Sequence, residues 1–145
     1  MRTLAVDYGS RRIGLALSDE SACLSSPLQV LEIRSPTDAI RQVAEIATKQ
    51  SAQRLVVGLP LNMDDTIGPA AKTAVRWGRE LAAACHLPVV FIDERLSSFA
   101  ADELLRGQKL TRKAKKQRQD ALAAADFLQA FLDGKLKALN PVIFP

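Results

Sequence analysis

Residues 3–7 read TLAVD, an apolar run that stops at the turn-prone Tyr8-Gly9-Ser10. That pattern predicts a strand followed by a tight connection. Its neighbours Leu4, Ala5 and Val6 are all apolar, which predicts a central strand. Residues 12–18 (RIGLALS) alternate well enough for a second strand. Residues 27–33 (PLQVLEI) make a third, with Leu28, Val30 and Glu32 on one face and Gln29, Leu31 and Ile33 on the other. The short connections favour an antiparallel meander. Ser35 or Thr37 can cap a helix reaching about Gln50, in which Ile40, Val43, Ala44 and Ala47 form a stripe at helical spacing.

The rhythm then changes. Residues 55–59 (LVVGL) read as a buried parallel strand, and 69–85 as a helix with Ala74, Trp77, Leu81 and Ala84 or Cys85 inward. Residues 88–92 (PVVFI) give another strand, followed by a helix over 97–105 and a last helix from about 117 to 132. The expected class is α/β: a five-stranded mixed sheet, three antiparallel strands plus two parallel ones added through helical crossovers, with helices on both faces. The chain shows no internal repeat or low-complexity linker, so a single domain over 1–145 is expected. The apolar tail from Asn140 is expected to pack on the body.

Composition adds limits. A chain of 145 residues can bury roughly 68–70% of its unfolded surface, so it needs neither disulfide nor metal merely to fold. No apolar run approaches the ~18 residues of a membrane span, and no signal-peptide pattern opens the chain, so a cytoplasmic protein is expected. Cys23 and Cys85 lie outside any CxxC pattern and read as buried thiols in a reducing compartment. His86, the only histidine, sits beside a helix end and reads as a C-cap.

Charge is more informative than composition. Residues 106–118 (RGQKLTRKAKKQR) carry seven basic side chains and no acid. Without them, 13 basic residues face 16 acidic ones, so the net charge of +4 comes from this one segment. A basic block on a mildly acidic body suits contact with a polyanion, and it equally suits a solvated loop.

Three acidic positions could carry chemistry. Asp7 ends the central strand, at the rim where open sheets place their sites, although an Asx-turn shaping Tyr8-Gly9 would use the same residue. Asp93-Glu94-Arg95 follows the strand over 88–92, and alternation lets at most one of Asp93 and Glu94 point towards Asp7. Asp120 shares a helical face with Ala124, Leu128 and Phe131, so it lies on an apolar stripe, whereas Asp126 falls on the other side and reads as solvated. Three converging carboxylates would repel one another without a cation. Mg²⁺ suits such a site, because it prefers hard oxygen ligands and keeps water and phosphate oxygens in its shell.

Four segments, VDYGSRRIGLALSD (6–19), VVGLPLNMDDT (56–66), DERLSSFAADELL (93–105) and DALAAADFLQAFL (120–132), together resemble the YqgF/RuvX family. Members have an RNase H-like fold related to the RuvC resolvases. They are assigned as nucleases processing the 5′ end of pre-16S rRNA, and some as Holliday junction resolvases. The resemblance implies a metal-dependent nuclease, with Asp7, Glu94 and Asp120 as catalytic metal ligands, Asp93 as the alternative second ligand, and Mg²⁺ or Mn²⁺ as cofactor. Arg12, Asn62 and Arg95 join Lys113, Lys115 and Lys116 as expected nucleic-acid contacts. Asp65 departs from the family, which usually has glycine at that point of its NMDG-T loop, and it adds negative charge beside the expected phosphate path.

Other classes fit less well. DYGSRRIG also resembles the first phosphate loop of actin- and Hsp70-like ATPases, but those proteins close two lobes around the nucleotide and this chain has room for one. An RNA-binding factor with structural carboxylates needs only the basic segment. The expected partner is pre-rRNA ahead of branched DNA. No helix advertises a long exposed apolar face, so a monomer or weak homodimer is expected.

Overall fold

A computed structural model describes residues 1–9, 11–61, 68–94, 112–136 and 138–139, with the side chains of 112–120 left out. The elements are β1 (Thr3–Tyr8), β2 (Arg12–Ser18), β3 (Ser25–Glu32), α1 (Pro36–Lys49), β4 (Arg54–Leu59), α2 (Pro69–Cys85), β5 (Val89–Asp93) and α3 (Arg112–Leu132). The strands form one sheet in the order β3-β2-β1-β4-β5. β1, β2 and β3 pair antiparallel, while β4 and β5 continue the sheet parallel to β1. β1 is the central strand, as its unbroken apolar run requires.

Strand alternation divides the core in two. Leu4, Val6, Ile13, Leu15, Leu55, Val57, Leu59 and Phe91 face α1 and α2. Ala5, Ala16, Val56 and Ile92 face α3, against Ala124, Phe127 and Leu128. Helices therefore cover both faces. α1 starts at Ser35, whose hydroxyl accepts from the Asp38 backbone N–H at 3.1 Å, with Pro36 in the first turn. Its buried residues are Ala39, Val43 and Ala47, with Ile40 and Ala44 at the margin. α2 ends at His86, a left-handed C-cap whose backbone N–H reaches Ala82 O. Gly78 lets α2 approach β5 closely, since a Cβ there would lie 2.7 Å from Phe91 Cε1.

Several expectations need correcting. α3 begins at Arg112 and not near Gln117, so the second half of the basic segment forms its first two turns. Lysine, arginine, glutamine and alanine are all good helix formers, and a charge run hides that because it carries no apolar period. Cys23 is exposed and Cys85 only partly buried, the latter with its thiol pushed up by burial. Asp126 is partly buried rather than solvated, and burial raises its carboxyl above the ordinary value. Ala84 is exposed, so Cys85 is the inward residue at the end of α2. The helix expected over 97–105 and the tail from Asn140 lie outside the described residues. Just before that tail, the Leu139 backbone N–H donates to Phe91 O at 2.7 Å and Leu139 packs on the larger core. No described helix is long and apolar enough to cross a membrane.

Candidate active site

Asp7 lies one residue before the end of β1, in register with Gly14 on β2 and Gly58 on β4. Gly58 in turn pairs with Ile92 on β5. Residues in one such row share a face, so Asp7, Gly58 and Ile92 all belong to the side covered by α3. Glu94 follows Ile92 by two residues and falls on this same side. Asp93 follows Phe91 by two and falls on the side of α1 and α2. Of the acidic pair, Glu94 is therefore the one brought to Asp7.

The two carboxylates line one cavity of about 570 Å³, bounded also by Tyr8, Gly9, Pro60, Ala70 and Thr73. It opens at the C-terminal ends of the parallel strands, where connections leave the sheet and open α/β folds put their chemistry. Three local features build it. The Gly9 backbone N–H donates to Arg12 O at 3.0 Å and closes the β1–β2 turn, which aims Asp7 at the rim. The Glu94 backbone N–H donates to Leu59 O at 3.3 Å, which holds the chain beside β4 after β5 has ended. Gly58, between them, leaves open the space that the Glu94 carboxylate occupies: a Cβ there would meet Glu94 Oε2 at 2.7 Å. Glu94 Oε2 is itself buried.

The donor set fits a hard divalent cation. Asp7 and Glu94 supply carboxylate oxygens, and the described lining residues include no histidine or cysteine that would favour a softer metal. Among the described residues no group of three or more acidic, histidine or cysteine side chains surrounds a common point. The third expected ligand, Asp120, lies in α3 one turn before the fully buried Ala124, and its side chain is outside the described atoms.

The expected nucleic-acid contacts divide likewise. Arg12 begins β2 at the same end of the sheet as Asp7. Lys113, Lys115 and Lys116 lie in the first turns of α3, with side chains outside the described atoms. Asn62, Asp65 and Arg95 lie outside the described residues. Gly58 and Tyr8 were not singled out by sequence. A glycine inside the apolar strand LVVGL is the signal that another group approaches closely. An aromatic residue next to a candidate acidic ligand is the other.

A profile of the family described as "RuvX: Holliday junction resolvase" matches residues 1–134. A protein of Anaeromyxobacter sp. (strain K), named "Putative pre-16S rRNA nuclease", is 44% identical over 133 residues, covering 92% of this chain and 97% of the relative. A protein of the same name from Caldanaerobacter subterraneus subsp. tengcongensis is 36% identical over 136 residues, covering 93% and 98%. Among solved structures, RuvC of T. thermophilus in complex with a Holliday junction substrate superposes with a TM-score of 0.58 at 17% identity, covering 96% of this chain and 99% of RuvC. The Fowlpox virus resolvase bound to Holliday junction DNA gives 0.57 at 11% identity, covering 94% and 100%. At these identities the structural likeness speaks for the fold alone, an RNase H-like one.

Proposed function

Because this chain belongs to the RuvX family, we propose that it is a cytoplasmic, metal-dependent nuclease that hydrolyses a phosphodiester bond in maturing the 5′ end of pre-16S rRNA. The observation that carries this reading is the meeting of Asp7 and Glu94 on one cavity at the C-terminal edge of the sheet. Two carboxylates placed together repel each other, an arrangement that a fold retains where a cation or a proton is held between them. Asp120 completes the set in this reading, because α3 packs across the face that carries both acids.

Asp7, Glu94 and Asp120 would hold Mg²⁺, with Mn²⁺ as the alternative. When bound, the cation supplies Lewis-acid stabilisation of charge on the phosphate and makes bound water more acidic than bulk water. The chain's own contribution is position. Asp7 is fixed by a backbone paired on both sides, and Glu94 by the bond from its N–H to Leu59 O. Arg12 and the lysines at the start of α3 would attract the polyanion electrostatically, which fixes its path without reading its sequence.

RNA is favoured over branched DNA for two reasons. The named relatives at 36–44% identity are called pre-16S rRNA nucleases. Resolving a junction also requires two sites facing one substrate, normally in a two-fold dimer, whereas trimming an end needs one site in a monomer or weak dimer. The family's description as a Holliday junction resolvase keeps that activity as a second reading. The two are separated by incubating the protein with an rRNA precursor and a four-way junction side by side, with Mg²⁺, with Mn²⁺ and with chelator. Metal-dependent cutting of the precursor is expected. Paired symmetric incisions in the junction with the precursor untouched would promote the resolvase, and binding with no cutting in either metal would leave an RNA-binding factor.

A further inference from the structure

Tyr8 follows Asp7 directly, and the pleat of β1 directs its ring to the other face of the sheet. There it stacks on Trp77 of α2, with ring centroids 4.4 Å apart and planes 17° from parallel. Trp77 is 2% exposed, and its indole N–H donates to Pro36 O at 3.2 Å, so the backing ring is held by both packing and a hydrogen bond. Tyr8 is only partly buried, and it lines the same cavity as Asp7 and Glu94. Trp77 covers one side of the tyrosine, and Tyr8 borders the cavity together with Ala70 and Thr73 of α2 as well as the two acids.

We propose, on the nuclease reading above, that Tyr8 backed by Trp77 is the stacking platform for one unpaired nucleobase beside the scissile phosphate. Every base has a π-face, so such a platform is sequence-tolerant, and it strengthens binding by roughly five- to a hundredfold per base. A base inside a duplex already stacks on both neighbours and must leave its helix to reach Tyr8. The site therefore takes a single-stranded or frayed nucleotide, and a cavity of about 570 Å³ is of the size that encloses one small ligand. A tyrosine that merely sealed the core would make the same contact with Trp77 and would be blind to the presence of a base.

The test uses full-length protein carrying Asp7→Asn, so that binding is measured without cutting. The probes are single-stranded oligoribonucleotides of about six nucleotides, at the short end of single-strand site sizes, each with one abasic nucleotide at a successive position. With Tyr8 present, one position is expected at which loss of the base raises Kd on the order of tenfold. Tyr8→Leu, or Tyr8→Val should the first fail to fold, is expected to abolish that sensitivity, and Tyr8→Phe to restore it. A flat abasic series with Tyr8 present, or a sensitivity that survives Tyr8→Leu or Tyr8→Val, overturns the proposal. Cutting by the unmodified protein is scored separately. A flat series with normal cutting rejects the platform alone, and an intact series without cutting rejects the nuclease reading alone.

Discussion

Gly58 and Glu94 share one space: a Cβ on Gly58 would lie 2.7 Å from Glu94 Oε2 and 3.1 Å from Glu94 Cβ. Phe127 closes the other side, its Cε2 being 2.9 Å from the same point. A methyl group therefore has no room unless Glu94 or the aromatic ring moves. Gly58→Ala is expected to lower Mn²⁺ affinity and kcat/KM about 10- to 100-fold, as for other changes that disturb the support of a metal ligand. Overpacking against Phe127 is expected to cost about 1–3 kcal/mol of stability. Calorimetric Mn²⁺ titration and thermal melting read the two effects separately. Wild-type values in both would mean that the Glu94 side chain does not depend on this gap.

The register row Asp7–Gly58–Ile92 puts the adjacent acids Asp93 and Glu94 on opposite faces of the sheet. Glu94→Gln is expected to abolish cutting, because it removes a ligand charge from the cavity. Asp93→Asn is expected to leave cutting near the wild-type rate, because position 93 falls on the α1 and α2 side with Phe91. Single-turnover cleavage of the same RNA by both variants reads this. The reverse ranking would place Asp93 at the site.

The first turns of α3 are expected to act through charge alone. Replacing Lys113, Lys115 and Lys116 with alanine should weaken binding to all sequences alike. Each lost phosphate contact is expected to flatten the slope of log K against log salt by about 0.7 for single strands and 0.9 for duplex. An unchanged slope would make these lysines a solvated helix face.

Asp126 offers a pH test away from the site. Burial raises its carboxyl above the ordinary 3.8, so folding favours the protonated form. The resulting destabilisation is absent below 3.8, grows as pH rises from there through the raised folded value, and is complete above it. Asp126→Asn is therefore expected to melt at a higher temperature than wild type at neutral pH and to lose that advantage below pH 3.8. An equal advantage at all pH values would point to packing instead of charge.

Much of this architecture is legible in the residues. Leu4-Ala5-Val6, apolar on both faces, marks a central strand, and Asp7 at its end marks the rim. Ser35-Pro36 announces a helix start, and His86 a helix end. The choice between Asp93 and Glu94 is not legible. Alternation says that they diverge, but only the pairing of β4 with both β1 and β5 says which of them meets Asp7. The onset of α3 is hidden because helix propensity in a lysine-rich run leaves no apolar period to read. The exposure of Cys23 follows from a local turn that no apolar period announces: Asp19 Oδ1 accepts from the Cys23 and Leu24 backbone N–H groups at 2.8 and 3.2 Å, folding that turn outside the core. Those bonds also hold the Asp19 carboxyl below its ordinary value.

On the proposed mechanism, carboxylates, Asp7 first among them, cut RNA by holding a divalent cation. The most direct measurement compares wild type, Asp7→Asn and Asp120→Asn on an rRNA precursor carrying the immature 5′ end, with Mg²⁺, with Mn²⁺ and with chelator. Wild type is expected to cut only with metal, and both variants to bind the RNA and fold as wild type does while cutting nothing. Cutting at the wild-type rate by either variant in Mg²⁺, or cutting by wild type in chelator, would contradict it.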